Sequence, residues 1–184
     1  MQQWSAEERA ILQCLDAAIR NETVIAKLEP LVAQVGAKLA QDPAAVMAYE
    51  PVPLEWYGKQ LPEPIRSSWV FILRAQTNTG AERHPNSQQR MASYRGTGDM
   101  QVWRDQQWQS NFLKSEPRTS LEDRWVSIPV NIWHQVVVPE NNWVVVSFHT
   151  VPAAELIEER PDRDDLEVTQ QRRYLDELHK TTKG

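Results

Sequence analysis

The sequence contains a single cysteine, Cys14, among 184 residues. One thiol cannot form a disulfide within the chain, so a disulfide-stapled secreted domain is excluded and a reducing compartment is favoured. Cys14 lies among apolar residues with no histidine near it in sequence, which predicts a packed thiol and not a nucleophile. We therefore expect a cytoplasmic protein.

Long apolar runs are also missing. The longest are Trp69–Leu73 and Trp143–Val146, whereas a membrane-spanning helix needs about 20 apolar residues. The charged residues Glu7, Glu8 and Arg9 interrupt the N-terminal region, so the apolar centre of a secretory signal is not present there. No membrane partner is expected.

Excess positive charge is the third feature that the chain lacks. Its formal net charge is −5, and lysine and arginine form no block. A protein that binds a nucleic acid duplex needs a cationic face to displace counterions from the phosphates. Nucleic acid is therefore not an expected partner.

Tryptophan, in contrast, is abundant. The chain has eight tryptophans, most of them in or beside strand-like runs: Trp4, Trp56, Trp69, Trp103, Trp108, Trp125, Trp133 and Trp143. They predict either a core packed with large aromatic residues, some of them at a subunit contact, or an aromatic-lined ligand pocket. The first interpretation is favoured because aromatic residues dominate burial in cores and interfaces. The surplus, together with an apolar N-terminal helical region, predicts a homodimer.

The chain is organised as one domain, residues 1–184, in three parts. Residues 1–49 show apolar positions at helical spacing, with Ser5 and Asn21 as helix caps. Residues 50–152 contain short β-rich runs separated by turn signals, which predict a closed barrel or a double-sheet jelly roll. The predicted strands lie near residues 68–76, 89–95, 100–104, 107–113, 124–128, 134–138 and 143–150. Residues 153–184 are strongly charged, and their weak stripes at Leu156/Ile157 and at Tyr174, Leu175 and Leu178 predict a short helical tail.

Two histidine-containing segments carry recognisable spacing. Pro129, Asn131 and His134 resemble the second motif of the cupin superfamily, Pro-x-Gly-x-x-His, with Asn131 where glycine is usual. Asparagine also tolerates the turn conformation that glycine adopts there. The segment from His84 to Gly96 resembles that family's first motif.

The first motif is incomplete. Its second histidine is missing, with Asn86 or Ser87 at or beside its place, and Gln89 stands where the glutamate is usual. The resemblance covers roughly residues 68–151. It implies a mainly β fold, a cupin-type double-stranded β-helix or jelly-roll barrel preceded by the N-terminal helices and followed by the helical tail.

The resemblance also implies a metal site. A complete cupin site looks like three imidazoles and one carboxylate, which suits iron, manganese, nickel or zinc. The candidate ligands here are His84, His134, Gln89 and Glu82, the last of which lies two residues before His84. Two alternatives stay open: a divalent transition metal on two histidines and one carboxylate, or a metal-free barrel whose histidines form hydrogen bonds in a polar pocket.

Four residues are candidates for binding a small, anionic molecule: Arg74, Arg95, Asn86 and His149. Arg74 lies in an apolar strand and needs an anionic partner, either a protein carboxylate such as Glu82 or Asp99, which is favoured, or a substrate. Arg95 shares a strand face with Gln89. His149 alternates with Trp143 on one face of a strand, and a hydrogen-bonded histidine at a strand end is favoured over an inward-pointing third ligand or donor.

Two functions follow from these alternatives. The first is a metal-dependent enzyme, a dioxygenase or isomerase that acts on a small carboxylate or sugar derivative. The second is a non-catalytic module that binds or senses a small molecule in a metal-free site. The fold class alone does not separate them, because this fold hosts many activities.

Overall fold

The structure, a computed structural model, describes residues 4–58, 61–161, 166 and 169–173. Its helices are α1 (Ala6–Ile19), α2 (Glu22–Gln41) and the single turn α3 (Leu121–Arg124). Its strands are β1 (Met47–Pro51), β2 (Ser67–Leu73), β3 (Thr77–Asn78), β4 (Gln89–Arg95), β5 (Thr97–Arg104), β6 (Gln107–Gln109), β7 (Phe112–Lys114), β8 (Trp125–Ile128), β9 (His134–Val138), β10 (Trp143–His149), β11 (Ile157–Pro161) and β12 (Thr169–Arg173). Among the described residues, no helix combines the length and apolarity that a membrane crossing requires.

Two antiparallel sheets face each other. The first has the strand order β1-β2-β10-β4-β8, and the second has the order β3-β9-β5-β6, with β7 also paired to β5. Strands that are distant in sequence are neighbours, as where β10 lies between β2 and β4. This confirms the predicted mainly β jelly roll with N-terminal helices. Of the two forms left open by the sequence, the structure has the double-sheet form.

The first sheet is buried on both faces, which explains its continuous apolar runs. In β2, Trp69 and Phe71 pack between the two sheets, whereas Val70 and Ile72 pack beneath α1 and α2. We call these two regions the inter-sheet core and the helix-facing core. The N-terminal helices therefore form a third layer that covers the outer face of the first sheet.

Polar contacts fix both helices. The side chain of Ser5 accepts a hydrogen bond from the N–H of Glu8 at 3.0 Å, and that of Asn21 accepts one from Thr23 at 2.9 Å, so both predicted caps are confirmed. Glu8 also accepts two hydrogen bonds from the guanidinium of Arg90, a buried residue of β4, at 2.8 and 2.7 Å. This bidentate pair ties α1 to the sheet.

Three tryptophans occupy the cores, as the core-packing interpretation predicts. Trp69 and Trp143 lie in the inter-sheet core, and Trp125 lies in the helix-facing core. Trp103 and Trp108 instead face each other across the β5–β6 hairpin, with ring centroids 5.1 Å apart.

The tail differs from the predicted helices. Strands β11 and β12 pair antiparallel, from Ile157 opposite Arg173 to Pro161 opposite Thr169. The backbones of Arg83 and Glu159 also exchange two hydrogen bonds at 3.0 and 2.9 Å. The strand pairing and this bridge together outweigh the weak helical periodicity of the segment. The apolar stripe predicted at Tyr174, Leu175 and Leu178 lies outside the described residues.

Two glycines in different surroundings test this packing. A methyl group on Gly98 of β5 would overlap the indole ring of Trp143, so we expect Gly98→Ala to lower the free energy of unfolding by about 1–3 kcal/mol. Gly36 of α2 is the matched control, because its nearest neighbour would be the Ile72 side chain at an ordinary 3.6 Å. We expect Gly36→Ala to raise stability by about 0.5–1 kcal/mol, since alanine favours the helix. Urea unfolding measures both, and equal effects would contradict the proposed packing.

Candidate metal centre

Three predicted ligands meet between the sheets. Glu82 and His84 lie in the segment before β4, and His134 is the first residue of β9. One potential ligand atom from each of the three residues lies within 4.8 Å of the others. The structure therefore brings together three of the four residues predicted as metal ligands.

Backbone pairing places the carboxylate beside the imidazole. The N–H of Glu82 donates to the carbonyl of His134, and the N–H of His134 donates to that of Glu82, both at 2.8 Å. Residues paired in this way lie directly opposite each other, with their side chains on the same face. As a result, Oε1 of Glu82 lies 3.4 Å from Nε2 of His134.

The turn before β9 connects the two histidine segments. Asn131 adopts a positive φ of 66°, the left-handed conformation that asparagine tolerates better than most residues. Its N–H donates to the carbonyl of His84 at 2.8 Å. Asn131 thus supplies the turn conformation expected of the usual glycine, and it joins His84 to the strand that carries His134.

Both imidazoles present the same nitrogen to the centre. Nδ1 of His84 lies 3.0 Å from the carbonyl oxygen of Ile157, and Nδ1 of His134 lies 3.0 Å from that of Ile132. A carbonyl oxygen only accepts, so each Nδ1 carries the hydrogen, and in the neutral ring Nε2 keeps its lone pair. Metal-binding histidines are commonly fixed in this way.

Burial and nearby charges determine the ionisation of the cluster. Burial, followed by repulsion from His134, lowers the pKa of His84 to about 4, so this imidazole is neutral near pH 7. Burial alone would raise the pKa of Glu82, but the contact of its carboxylate with His134 and the charge of Arg160 outweigh burial and lower the pKa to about 2. The centre therefore contains an ionised carboxylate beside a neutral imidazole, a donor set that suits a divalent cation.

His149 points into the same interior and has hydroxyl partners there. Its ring centroid lies 5.1 Å from that of His84, and its two nitrogens lie 3.4 Å from the hydroxyl oxygens of Ser87 and Ser147. Burial, followed by the charge of His84, holds its pKa well below the ordinary value. His149 is thus a neighbour of the three ligand candidates with hydroxyl partners of its own.

Gln89, the fourth predicted ligand, pairs with His149 across β4 and β10. Only 6% of Gln89 is exposed, and among the described residues its side-chain oxygen has no hydrogen-bond partner. An unsatisfied buried acceptor costs about 1–3 kcal/mol. This oxygen is therefore suited to receive a hydrogen bond from a molecule between the sheets.

The predicted substrate-binding role of Asn86 is not supported by its contacts. Its amide nitrogen donates to the carbonyl of Glu155 at 2.7 Å, and its amide oxygen accepts from the N–H of Ile157 at 3.2 Å. Both ends of the side chain are used to hold the segment that leads into β11. Asn86 is a structural residue of the site.

Arg74 lies far from the histidines, which corrects its predicted role. It follows the end of β2 that pairs with Trp143, whereas His149 is at the opposite end of β10. Its guanidinium donates to the carbonyl of Leu39, in the last turn of α2, at 2.7 Å and to that of Ala45, just beyond the helix, at 2.6 Å. Backbone carbonyls near the C-terminus of a helix attract a cation. They are therefore the partners of the Arg74 guanidinium, in place of the carboxylate or substrate that the sequence predicted.

Arg95 is also outside the site. Ser93 and Arg95 face consecutive residues of β10, so Tyr94 is the extra residue of a β-bulge. A bulge reverses the alternation of side chains, and Arg95 consequently pairs with Glu29 of α2 at 2.6 Å. The prediction that Arg95 shares the face of Gln89 was wrong because alternation alone does not reveal a bulge.

The sequence reasoning missed Arg160 of β11. One nitrogen of its guanidinium donates to Oε2 of Glu82 at 2.6 Å, and Nε donates to Glu158 at 2.6 Å. A sequence pattern could have indicated it, because Glu158 and Arg160 are two residues apart and share one face if the segment is a strand. It was hidden because the tail was interpreted as helical.

Comparisons with known proteins give structural neighbours only. No protein-family model matches the chain, and no curated protein matches it. The similar solved structures are cupin-fold proteins, the superfamily that the two histidine segments resemble.

Three of these structures illustrate the likeness. Pumpkin seed globulin is 16% identical with a TM-score of 0.48, over 64% of this chain and 28% of that one. Oxalate oxidase in complex with the substrate analogue glycolate is 10% identical with a TM-score of 0.45, over 60% and 54%. The capsular polysaccharide assembling protein CapF from Staphylococcus aureus is 13% identical with a TM-score of 0.44, over 58% and 28%. The match spans only about a quarter to a half of these longer chains, and the jelly roll itself is established by the strand pairing described above.

The buried histidines predict a pH-dependent stability. With a pKa of about 4 against an ordinary 6.5, His84 binds fewer protons in the folded than in the unfolded chain between these values. The free energy of unfolding should therefore fall as the pH falls from 6.5 to 4, by up to about 1.4 kcal/mol per pH unit for this group.

Urea unfolding of protein treated with a chelator, from pH 7.5 to 4.5, measures this slope. We expect His84→Gln to have a shallower slope than the original chain, since the titrating group is removed. An unchanged slope would show that folding does not lower the pKa of His84. Below this window, Glu82 adds a further loss as the pH falls from 4.5 towards 2.

Proposed function

We propose that this protein binds a divalent transition metal through His84, His134 and Glu82, and that the resulting centre binds a small molecule between the two sheets. The observation that carries the proposal is the orientation of the two imidazoles. Each donates its Nδ1–H to a backbone carbonyl, which leaves Nε2 as the metal-binding atom.

The contact between His134 and Glu82 supports a cation at this position. With the hydrogen of His134 on Nδ1, its Nε2 and Oε1 of Glu82 are two acceptors 3.4 Å apart. Two acceptors at this separation require a proton or a metal between them. Ligand atoms about 2.1 Å from one metal lie roughly 3–4 Å from each other, so this pair is spaced for a shared ion.

The donor set favours iron, manganese, nickel or zinc. Two imidazoles and one carboxylate with open positions are typical of non-haem iron centres, and the other three metals accept the same ligands. When bound, such a metal supplies a Lewis acid or a site for dioxygen. Dioxygenation or isomerisation of a small carboxylate or sugar derivative is therefore the activity that we propose.

Charge favours an anionic ligand even though Arg74 and Arg95 lie elsewhere. A divalent ion held by one carboxylate and two neutral imidazoles keeps a net charge of one, which attracts an anion in a buried site. Gln89 then accepts a hydrogen bond from a hydroxyl group of the bound molecule. In this proposal His149 borders the molecule beside Gln89.

A metal-free binding or sensing module is the second candidate. Arg160 already neutralises Glu82 at 2.6 Å, and His134 contacts the same carboxylate. With His134 protonated, this arrangement needs no metal to hold it together. The two candidates make opposite predictions about metal content.

Metal analysis separates them. Protein purified without chelator is expected to contain about one equivalent of metal per chain, since the described part of the chain contains one such set of ligands. His84→Ala, His134→Ala and Glu82→Gln should each lower the affinity by more than the 10–100-fold typical of an outer partner. Mass spectrometry of the metal and competition titration give the two measurements.

His149→Gln is the matched control, because it replaces a buried histidine of the same interior that lies outside the ligand set. It should keep the metal. If the original chain, correctly folded by circular dichroism, takes up none of the four metals, the metal centre is refuted and the metal-free module is favoured.

We also propose that the protein forms a homodimer, because tryptophan is abundant in the chain. We propose a reducing, cytoplasmic compartment because the chain has a single cysteine. The exposed side of the second sheet presents the Trp103–Trp108 pair, and Phe112 is 48% exposed nearby. Equilibrium sedimentation should give twice the mass of the chain, and Trp108→Ser should shift the equilibrium towards monomer. A monomer at high concentration would rule out the dimer.

A further inference from the structure

We propose that strand β11 is part of the metal centre, and that Arg160 is a positioning residue that leaves Glu82 a single oxygen for the metal. This inference rests on the proposed function. It concerns how the carboxylate binds and which segment of the chain controls it.

The two oxygens of Glu82 have different partners. Oε2 accepts a hydrogen bond from the guanidinium of Arg160 at 2.6 Å. Oε1 lies 3.4 Å from Nε2 of His134. While the guanidinium holds Oε2, Oε1 is the oxygen that contacts His134, so in this proposal the carboxylate binds through one oxygen and does not chelate.

Arg160 is itself held in a fixed orientation. Its Nε donates to Glu158 at 2.6 Å, and a terminal nitrogen donates to the carbonyl of Thr79 at 2.8 Å. Glu158 is only 1% exposed. A planar guanidinium can satisfy three such acceptors at once, which the single ammonium group of lysine cannot match in geometry.

The same strand orients one of the histidines. The carbonyl of Ile157 accepts the Nδ1–H of His84 at 3.0 Å, which directs Nε2 of that ring to the centre. Ile157 and Arg160 are three residues apart on β11. One short strand therefore fixes the tautomer of one ligand and the free oxygen of another.

Arg83 fastens β11 from the other side. Its Nε donates to Glu159 at 2.7 Å, and its guanidinium lies 4.5 Å from the ring centre of Trp133. Neither contact involves Glu82, His84 or His134. Arg83 is therefore a matched control, since its loss weakens the attachment of β11 without touching a ligand.

A carboxylate that binds through one oxygen keeps the coordination number low. Fewer protein ligands leave positions for water or for a small molecule. Without Arg160, the second oxygen of Glu82 becomes available to the same metal or the carboxylate turns away, and either change alters the ligand geometry. The residue thus controls how open the centre is.

Cobalt(II), used as the probe, reports this geometry through its visible absorption. We expect Arg160→Met to change the spectrum of the cobalt-loaded protein and to lower the affinity for cobalt by about 10–100-fold, as for other residues that orient a ligand. Arg160→Lys should recover part of the affinity, because it keeps the charge. Arg83→Met should retain the original spectrum and affinity.

The outcomes are distinguishable. If the original chain binds no cobalt, the proposed function fails and this inference fails with it. If the original chain binds cobalt and Arg160→Met has the same spectrum and affinity, only this inference is overturned. This inference is also overturned if Arg83→Met shows the same change in spectrum and affinity as Arg160→Met. Weaker attachment of β11 would then explain the effect without any direct role for Arg160. Circular dichroism checks folding. If Arg160→Met does not fold, the cobalt spectrum and affinity of Arg160→Lys are compared with those of the original chain instead.

Discussion

The pair of backbone hydrogen bonds between Glu82 and His134 is the constraint on which the centre depends. Residues paired in this way have no freedom to point apart, because both side chains leave the same face of the ladder. The pairing forces a carboxylate and an imidazole into one buried space. The charged residues around the centre offset the cost of burying that carboxylate.

Burying the carboxylate of Glu82 requires nearby positive charge, since an isolated buried anion is prohibitively costly. The guanidinium of Arg160 supplies this positive charge at 2.6 Å. The same guanidinium also forms an ion pair with the buried carboxylate of Glu158. Such a chain of charges stabilises the protein only while every member keeps its partner, because breaking one pair leaves a charge uncompensated. Electrostatics therefore explains why a strand more than seventy residues further along the chain, β11, lies beside the segment of Glu82.

Much of this could be predicted from the sequence, wherever a local pattern determined the structure. The positions of His134 and Asn131 followed from one motif, and strand alternation placed His149 on the same face as Trp143. The sequence reasoning failed where a contact between distant segments decided the outcome. Arg95 faces α2 because of one extra residue in β4, and Arg74 binds helix carbonyls that no local pattern connects to it. The residues of β11 form a strand because they pair with β12 of the same tail and because the segment around Arg83 adds a bridge, and the weak helical stripes of the tail revealed neither contact.

The double role of β11 limits how the interior can open. The strand closes the edge beside His84 and also supplies the Ile157 carbonyl and the Arg160 guanidinium. Moving it aside would release the Nδ1–H of His84 and the second oxygen of Glu82 together, and both ligands would lose their orientation. An assembled centre therefore requires β11 in place, so a molecule that meets the assembled centre must reach it by a route that leaves this strand paired. Gln89 and His149 face the same interior from β4 and β10 and not from β11.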